Sequence, residues 1–149
     1  MKYRRGYRLL TLGWSDGNSF LPISGRLLAS GDDKKVIGPK KKMDNRSLAG
    51  KRRKQATSKA PDVMVEMLKA ARQGGHRAKY VLFDTWFVSP KTILRILREC
   101  KLNTIAMIKK TFKVFYELDG RRMNIKQIFA ACKKRRGRSK YLLSVDVLR

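Results

Sequence analysis

The sequence predicts an α/β fold: an N-terminal β-hairpin, a helix, a β-α-β unit and a β-rich C-terminal segment. Three observations predict it. Two strand-like runs, Leu9 to Trp14 and Ser19 to Leu28, flank the turn-forming Ser15-Asp16-Gly17-Asn18. Two continuous apolar runs, Tyr80 to Phe83 and Thr104 to Ile108, enclose Ile93, Ile96, Leu97 and Cys100 at helical spacing. Beyond Phe112 the chain alternates apolar and polar residues around Asp119-Gly120, a hairpin signal.

Each element has its own local reason. The first two runs and their turn predict an antiparallel hairpin. Ser30 to Lys59 lacks periodicity, is broken by Gly38, Pro39 and Gly50, and carries ten basic residues between Lys34 and Lys54, which predicts a basic flexible loop over 30–59. Pro61 to Gln73 reads as a helix: Pro61 suits its first turn, Asp62 and Glu66 its positive end, and Gly74-Gly75 stops it. Its predicted apolar face is Val63, Met67, Leu68 and Ala71, with Met64 a further core candidate. Ser89 and Pro90 open the next helix as N-cap and first helical residue. Strands apolar on both faces belong to a parallel sheet covered on both sides. Phe112 to Leu118 and Arg121 to Met123 predict a second hairpin. Asn124 to Lys133 predicts a helix with Ile125, Ile128, Phe129 and Cys132 on one face, and Tyr141 to Leu148 a last strand.

Charge narrows the function. Of 149 residues, 37 are Lys or Arg and 11 are Asp or Glu, giving a net charge of +26 and a pI near 10.8. Such a chain repels itself unless a polyanion neutralises it, and nucleic acid phosphate is the natural partner. Cys100 and Cys132 fall on apolar helical positions and read as buried thiols of a reducing cytosol. His76 stands in a Gly-Gly-His-Arg turn without ligand spacing, which argues against zinc. No apolar run reaches membrane-span length, and no signal-peptide core follows Met1.

In open α/β sheets ligands collect at the carboxyl ends of strands. Asp84 follows Tyr80-Val81-Leu82-Phe83 and precedes the turn into a helix, so it is the candidate catalytic and metal-binding carboxylate. A desolvated carboxylate there needs a partner, and a metal ion or a capping hydrogen bond would serve. The other acids read as structural: Asp16 in a turn, Asp32 and Asp33 beside the basic segment, Glu99 paired with Arg95 one helical turn away, Glu117 and Asp119 in a hairpin. Asp146, in the last strand, is the one other acid to keep in view. Two basic clusters, Lys51-Arg52-Arg53-Lys54 and Lys133-Lys134-Arg135-Arg136 with Arg138, are candidate phosphate contacts.

Leu12-Gly-Trp-Ser-Asp-Gly-Asn-Ser-Phe-Leu-Pro22, Lys51-Arg-Arg-Lys54, Tyr80-Val-Leu-Phe-Asp-Thr-Trp-Phe87 and Ile105-Ala-Met-Ile-Lys109 resemble bacterial insertion-sequence transposases of the DDE class, in the subgroup with a Tyr-Arg-Glu-Lys signature. The resemblance runs over essentially the whole chain. It implies an RNase H-like fold, here incomplete: a partial catalytic core over 1–110 and the start of a β-rich insertion over 111–149. It also implies three metal-binding acids sharing two Mg²⁺ (or Mn²⁺) ions. Asp84 matches the second. The first belongs on a strand before Met1 and the third on a helix after Arg149, so the chain reads as an internal fragment, inactive alone. The implied chemistry is cutting and joining of DNA at element ends. The implied partners are element-end and target DNA and other transposase copies, in the bacterial cytoplasm with the nucleoid. On this reading Trp86 and Phe87 pack the helix onto the sheet. The competing reading is a non-catalytic basic nucleic-acid-binding protein that uses its charge alone.

Overall fold

Asp16 closes the first turn. Its Oδ1 accepts hydrogen bonds from the backbone N–H of Ser19 (2.7 Å) and Asn18 (2.9 Å), which hold its carboxyl below the usual carboxylate range. The turn joins β1 (Arg8–Ser15) to β2 (Phe20–Leu28) in an antiparallel ladder, with Leu9 opposite Leu27 and a register shift at Leu12/Gly13. The Phe20 ring lies directly over Gly13, where a Cβ would stand 2.1 Å from it. The structure, a computed structural model, describes residues 8–35, 42–108 and 111–132. It divides into two units, Met1–Met107 and Ile108–Arg149.

The expected flexible loop over 30–59 is corrected in part: Leu48–Ala56 is a helix, α1. The Ser47 side chain caps it by accepting from Gly50 N–H at 3.0 Å, and Ala56 C=O accepts from Ala29 N–H at 2.8 Å. Apart from Gly50, none of its residues is buried, so it has no apolar stripe for periodicity to detect.

The helix α2 (Ala60–Gln73) starts where Pro61 predicts and ends at Gly74. It buries Val63, Met64, Val65, Met67 and Leu68, an arc of roughly 200° at 100° per residue. That arc is wider than the predicted stripe, because α2 faces two partners. Val63 and Met67 pack with Leu28 of the hairpin; Met64, Val65 and Leu68 pack with Val81, Ile96, Cys100 and Leu102; Leu10 and Leu12 touch both groups.

The β-α-β unit follows the prediction. β3 (Tyr80–Phe83) pairs in parallel with β4 (Asn103–Ala106), Val81 opposite Thr104 and Phe83 opposite Ala106. Between them α3 (Pro90–Arg95) is capped by Ser89, whose Oγ accepts from Thr92 N–H at 3.1 Å. It continues as a π turn, Ile96–Cys100, ending at Lys101 in the left-handed region (φ 53°). The wider turn puts Ile96 and Cys100 in the core and leaves Leu97 out, a departure from the even 3.6-residue face expected. Covering on both sheet faces is also corrected. Val81 is buried, whereas Tyr80, Leu82 (70% exposed) and Ile105 face outward. The buried Thr104 Oγ1 has no hydrogen-bond partner.

In the second unit, β5 (Phe115–Leu118) and β6 (Arg121–Asn124) form the predicted hairpin, turning at Asp119 (φ 50°) and Gly120 (φ 73°). The Asn124 side chain accepts from the N–H of Lys126 and Gln127 while Gln127 returns a bond to Asn124 N–H, a capping box that starts α4 (Ile125–Ala131). Ile128 is buried, but Phe129 is 72% exposed, against expectation. Cys132 is half-buried and Cys100 buried; burial pushes the Cys100 thiol pKa up. The predicted strand 141–148 lies outside the described residues.

Arg95 ties α3 to α2. It donates to Asp62 (2.5 Å) and to Glu99 (3.0 Å), and Lys69 reaches Glu99 at 2.6 Å. Lys69 and then Arg95 lower the Glu99 pKa, while Asp62 and Glu99 raise that of Arg95.

Two outcomes follow from this packing. Ile96→Ala, at a site with 0% exposure, is expected to cost about 2–5 kcal/mol in denaturant unfolding, whereas Leu82→Ala changes stability by less than about 0.5 kcal/mol. The lowered carboxyls of Glu99 and Asp16 contribute stability that is present above the usual carboxylate pKa of about 4 and lost as pH falls through their lower folded values. A pH series of melting temperatures is therefore expected to fall below that point, and less steeply in Glu99→Gln.

Candidate functional site

The strand that brings Asp84 to its position is buried only through Val81 and Phe83, so β3 ends at the sheet's carboxyl edge with Asp84 exposed. Thr85 then fixes one carboxylate oxygen. Asp84 Oδ1 accepts from Thr85 N–H at 2.5 Å and from Thr85 Oγ1 at 3.0 Å. Two backbone bonds, Phe87 N–H to Asp84 C=O (3.2 Å) and Val88 N–H to Thr85 C=O (3.3 Å), fold the turn into the cap of α3. Phe87 packs against the core as expected; Trp86 does not, being 80% exposed. Among the described residues no hydrogen bond or ion pair engages Asp84 Oδ2.

Six other acids of this unit are engaged locally. Asp32 Oδ1 accepts from Lys34 N–H and Asp44 Oδ1 from Arg46 N–H. Glu66 accepts from the Gln55 side chain, and Asp62, Glu99 and Asp16 are bonded as described above. Among the described residues no three His, Cys, Asp or Glu side chains come together as a metal site. Asp84 fits a divalent cation as a single oxygen ligand, and the described residues do not complete the coordination. Asp146 lies outside them.

Lys51, Arg52, Arg53 and Lys54 are all exposed, on a helix rather than a loop. Three consecutive contacts hold that helix. Arg26 Nε donates to Gln55 Oε1 at 2.9 Å, and Gln55 Nε2 donates to Glu66 at 2.5 Å, linking β2, α1 and α2. Gly50 lies against the preceding backbone, where a Cβ would meet Asp44 C=O at 2.2 Å. The second basic cluster, Lys133, Lys134, Arg135, Arg136 and Arg138, lies outside the described residues. Sequence reasoning missed Thr85 and the Arg26–Gln55–Glu66 chain. The Asp84-Thr85 dipeptide was the available signal for the first; nothing in the spacing marks the second.

The arrangement is an α/β unit with an exposed carboxylate at the end of a parallel strand and a rigidly held basic helix. The family model described as DDE superfamily endonuclease matches residues 1–139, and the chain belongs to that family. Its substrate class is accordingly DNA, and DDE superfamily nucleases generally use divalent metal ions. No curated protein and no solved structure matches the chain significantly. No described helix is long and apolar enough to cross a membrane.

Gly50→Ala is expected to destabilise the protein by about 1–3 kcal/mol, because the clash is with backbone. Gly31→Ala, with open space around it, changes stability by less than about 0.5 kcal/mol. Chemical denaturation of the two variants checks the difference.

Proposed function

We propose that the chain carries part of the catalytic core of an insertion-sequence transposase, of RNase H-like layout and the Tyr-Arg-Glu-Lys subgroup, that cuts and joins DNA at element ends. Asp84 is one of three metal-binding acids in this reading. The other two are not among the described residues, and in this reading the chain alone does not cleave DNA. The observation that carries the reading is Asp84 itself. It is an exposed carboxylate at the carboxyl end of a parallel strand, oriented through Oδ1 by Thr85. Paired Mg²⁺ or Mn²⁺ ions, roughly 4 Å apart in such sites, would activate the attacking oxygen and stabilise the leaving one. Lys51, Arg52, Arg53 and Lys54 on α1, with Lys133, Lys134, Arg135, Arg136 and Arg138, grip phosphate without reading sequence. Copies associate on DNA in the bacterial cytoplasm, at the nucleoid.

A non-catalytic nucleic-acid-binding role is the second reading, and the exposed basic helix α1 favours it.

A plasmid-nicking assay with Mg²⁺ or Mn²⁺ separates the two. The chain alone is expected to bind DNA with a steep salt dependence and leave it intact. Extended by the coding sequence on both sides, it is expected to nick, and Asp84→Asn in that extended protein lowers nicking by about a thousandfold or more. Nicking that survives Asp84→Asn, or an extended protein that binds without nicking, overturns the catalytic reading.

A further inference from the structure

The hairpin of the second unit has one packed face and one open face. Tyr116, Leu118 and Met123 are half-buried on the side of α4, whose Ile128 is buried. The opposite face carries Phe115, Glu117 and, across from Glu117, Arg122. Phe115 is 37% exposed, and the Arg122 guanidinium lies over its ring at 4.8 Å from the centroid. Beside the hairpin, Phe112 is 65% exposed with the Lys126 ammonium 4.6 Å from its ring centroid. A cleft of about 280 Å³ opens along β5, lined by Lys113, Phe115, Tyr116, Glu117 and Arg122 among others.

Two rings that reach the surface, each with a cation stationed over it, offer aromatic and positive surface together. Their chemistry suits one class of ligand. A nucleobase stacks on an aromatic ring or a guanidinium plane, and the adjacent phosphate meets the cation. Stacking needs a base whose face is free, which a duplex interior does not offer. The charge agrees: residues 108–149 hold thirteen Lys and Arg against three Asp and Glu. An acidic peptide would satisfy the cations but make no use of the rings.

We propose that the outer face of the β5–β6 hairpin, through Phe115 and Arg122, together with the Phe112–Lys126 pair beside the hairpin, provides stacking positions for unpaired bases of single-stranded DNA. DNA as the ligand rests on the reading above, but the site is independent of Asp84. It binds single strands in preference to duplex, whereas α1 serves either form through phosphate. Glu117 faces the same cleft, and its charge disfavours a phosphate there, so the base rather than the backbone enters the cleft.

Fluorescence anisotropy of the full chain with a labelled oligothymidine of about 15 nucleotides, and with a duplex of equal length, tests the site. Phe112→Ala with Phe115→Ala is expected to weaken single-strand binding about tenfold or more while changing duplex binding less than about twofold. Phe112→Tyr with Phe115→Tyr keeps the rings and retains binding. The assay reads binding without metal or cleavage, and Leu82→Ala, outside the catalytic and basic residues, leaves both affinities unchanged, so failure here is distinct from failure of the catalytic reading. Phe115→Trp supplies a direct signal in a protein that keeps its ring: its added emission is expected to be quenched by oligothymidine and not by duplex. Equal losses on both DNA forms, no loss in the alanine pair, or no added quenching in Phe115→Trp overturns the proposal.

Discussion

The double-sided burial of α2 is the constraint on which the Met1–Met107 unit depends. The hairpin β1–β2 and the parallel pair β3–β4 are separate two-stranded ladders in the described residues. Two strands alone are marginal in water, because neither face is covered well enough to offset the entropy of ordering them. Here Val63 and Met67 cover one ladder and Met64, Val65 and Leu68 cover the other, so the same fourteen-residue helix serves both. Trp14 adds a polar tie, its Nε1 donating to Arg77 C=O at 2.8 Å just before β3 begins. Arg72 adds another, donating to Cys100 C=O at the end of the π turn. The position of Asp84 is thus inherited from α2 through Val81, which seats β3, and through Ile96, which seats the helix that follows.

Local chemistry explains why much of this could be read from the sequence. Asp16-Gly17-Asn18, Ser89-Pro90 and Asn124 with Gln127 act within a few residues, through side chains that bond the nearest backbone N–H. Each signal therefore corresponds to one observed cap or turn. Asp84 was legible for a similar reason: a continuous apolar strand ending in an acid before a capped helix defines one place in an α/β sheet. The α1 helix was not legible, because Gln55 ties it to the distant Arg26 and Glu66 side chains and it displays no apolar period. Trp86 and Phe129 are aromatic, and size alone argued for burial. Their exposure depends on how the neighbouring elements end, which residue type does not encode.

Charge and packing act on different parts of the molecule. The buried groups are almost entirely apolar, with Thr92 the one polar residue in the core of the described chain. The ion pairs sit at the rim, where Arg95 and Lys69 join α2 to the helix after Asp84. Surface pairs of this kind contribute little individually and are weakened by salt.

The π turn at Ile96–Cys100 also decides something about β4. A π turn uses one residue more than an α turn for each hydrogen bond it closes. If that extra residue were lost, everything after it would move back one place along the chain, and a one-residue slip reverses which side chains face inward. Ile105 would then occupy the position of Thr104 opposite Val81. The slip would relieve the hydroxyl that Thr104 buries without a partner and the exposure of Ile105, but it would also carry Asn103 into the core position of Leu102. The length of the connection and the burial of Leu102 thus favour the same register, and the residue count of a helix bears on which face of the following strand meets the core.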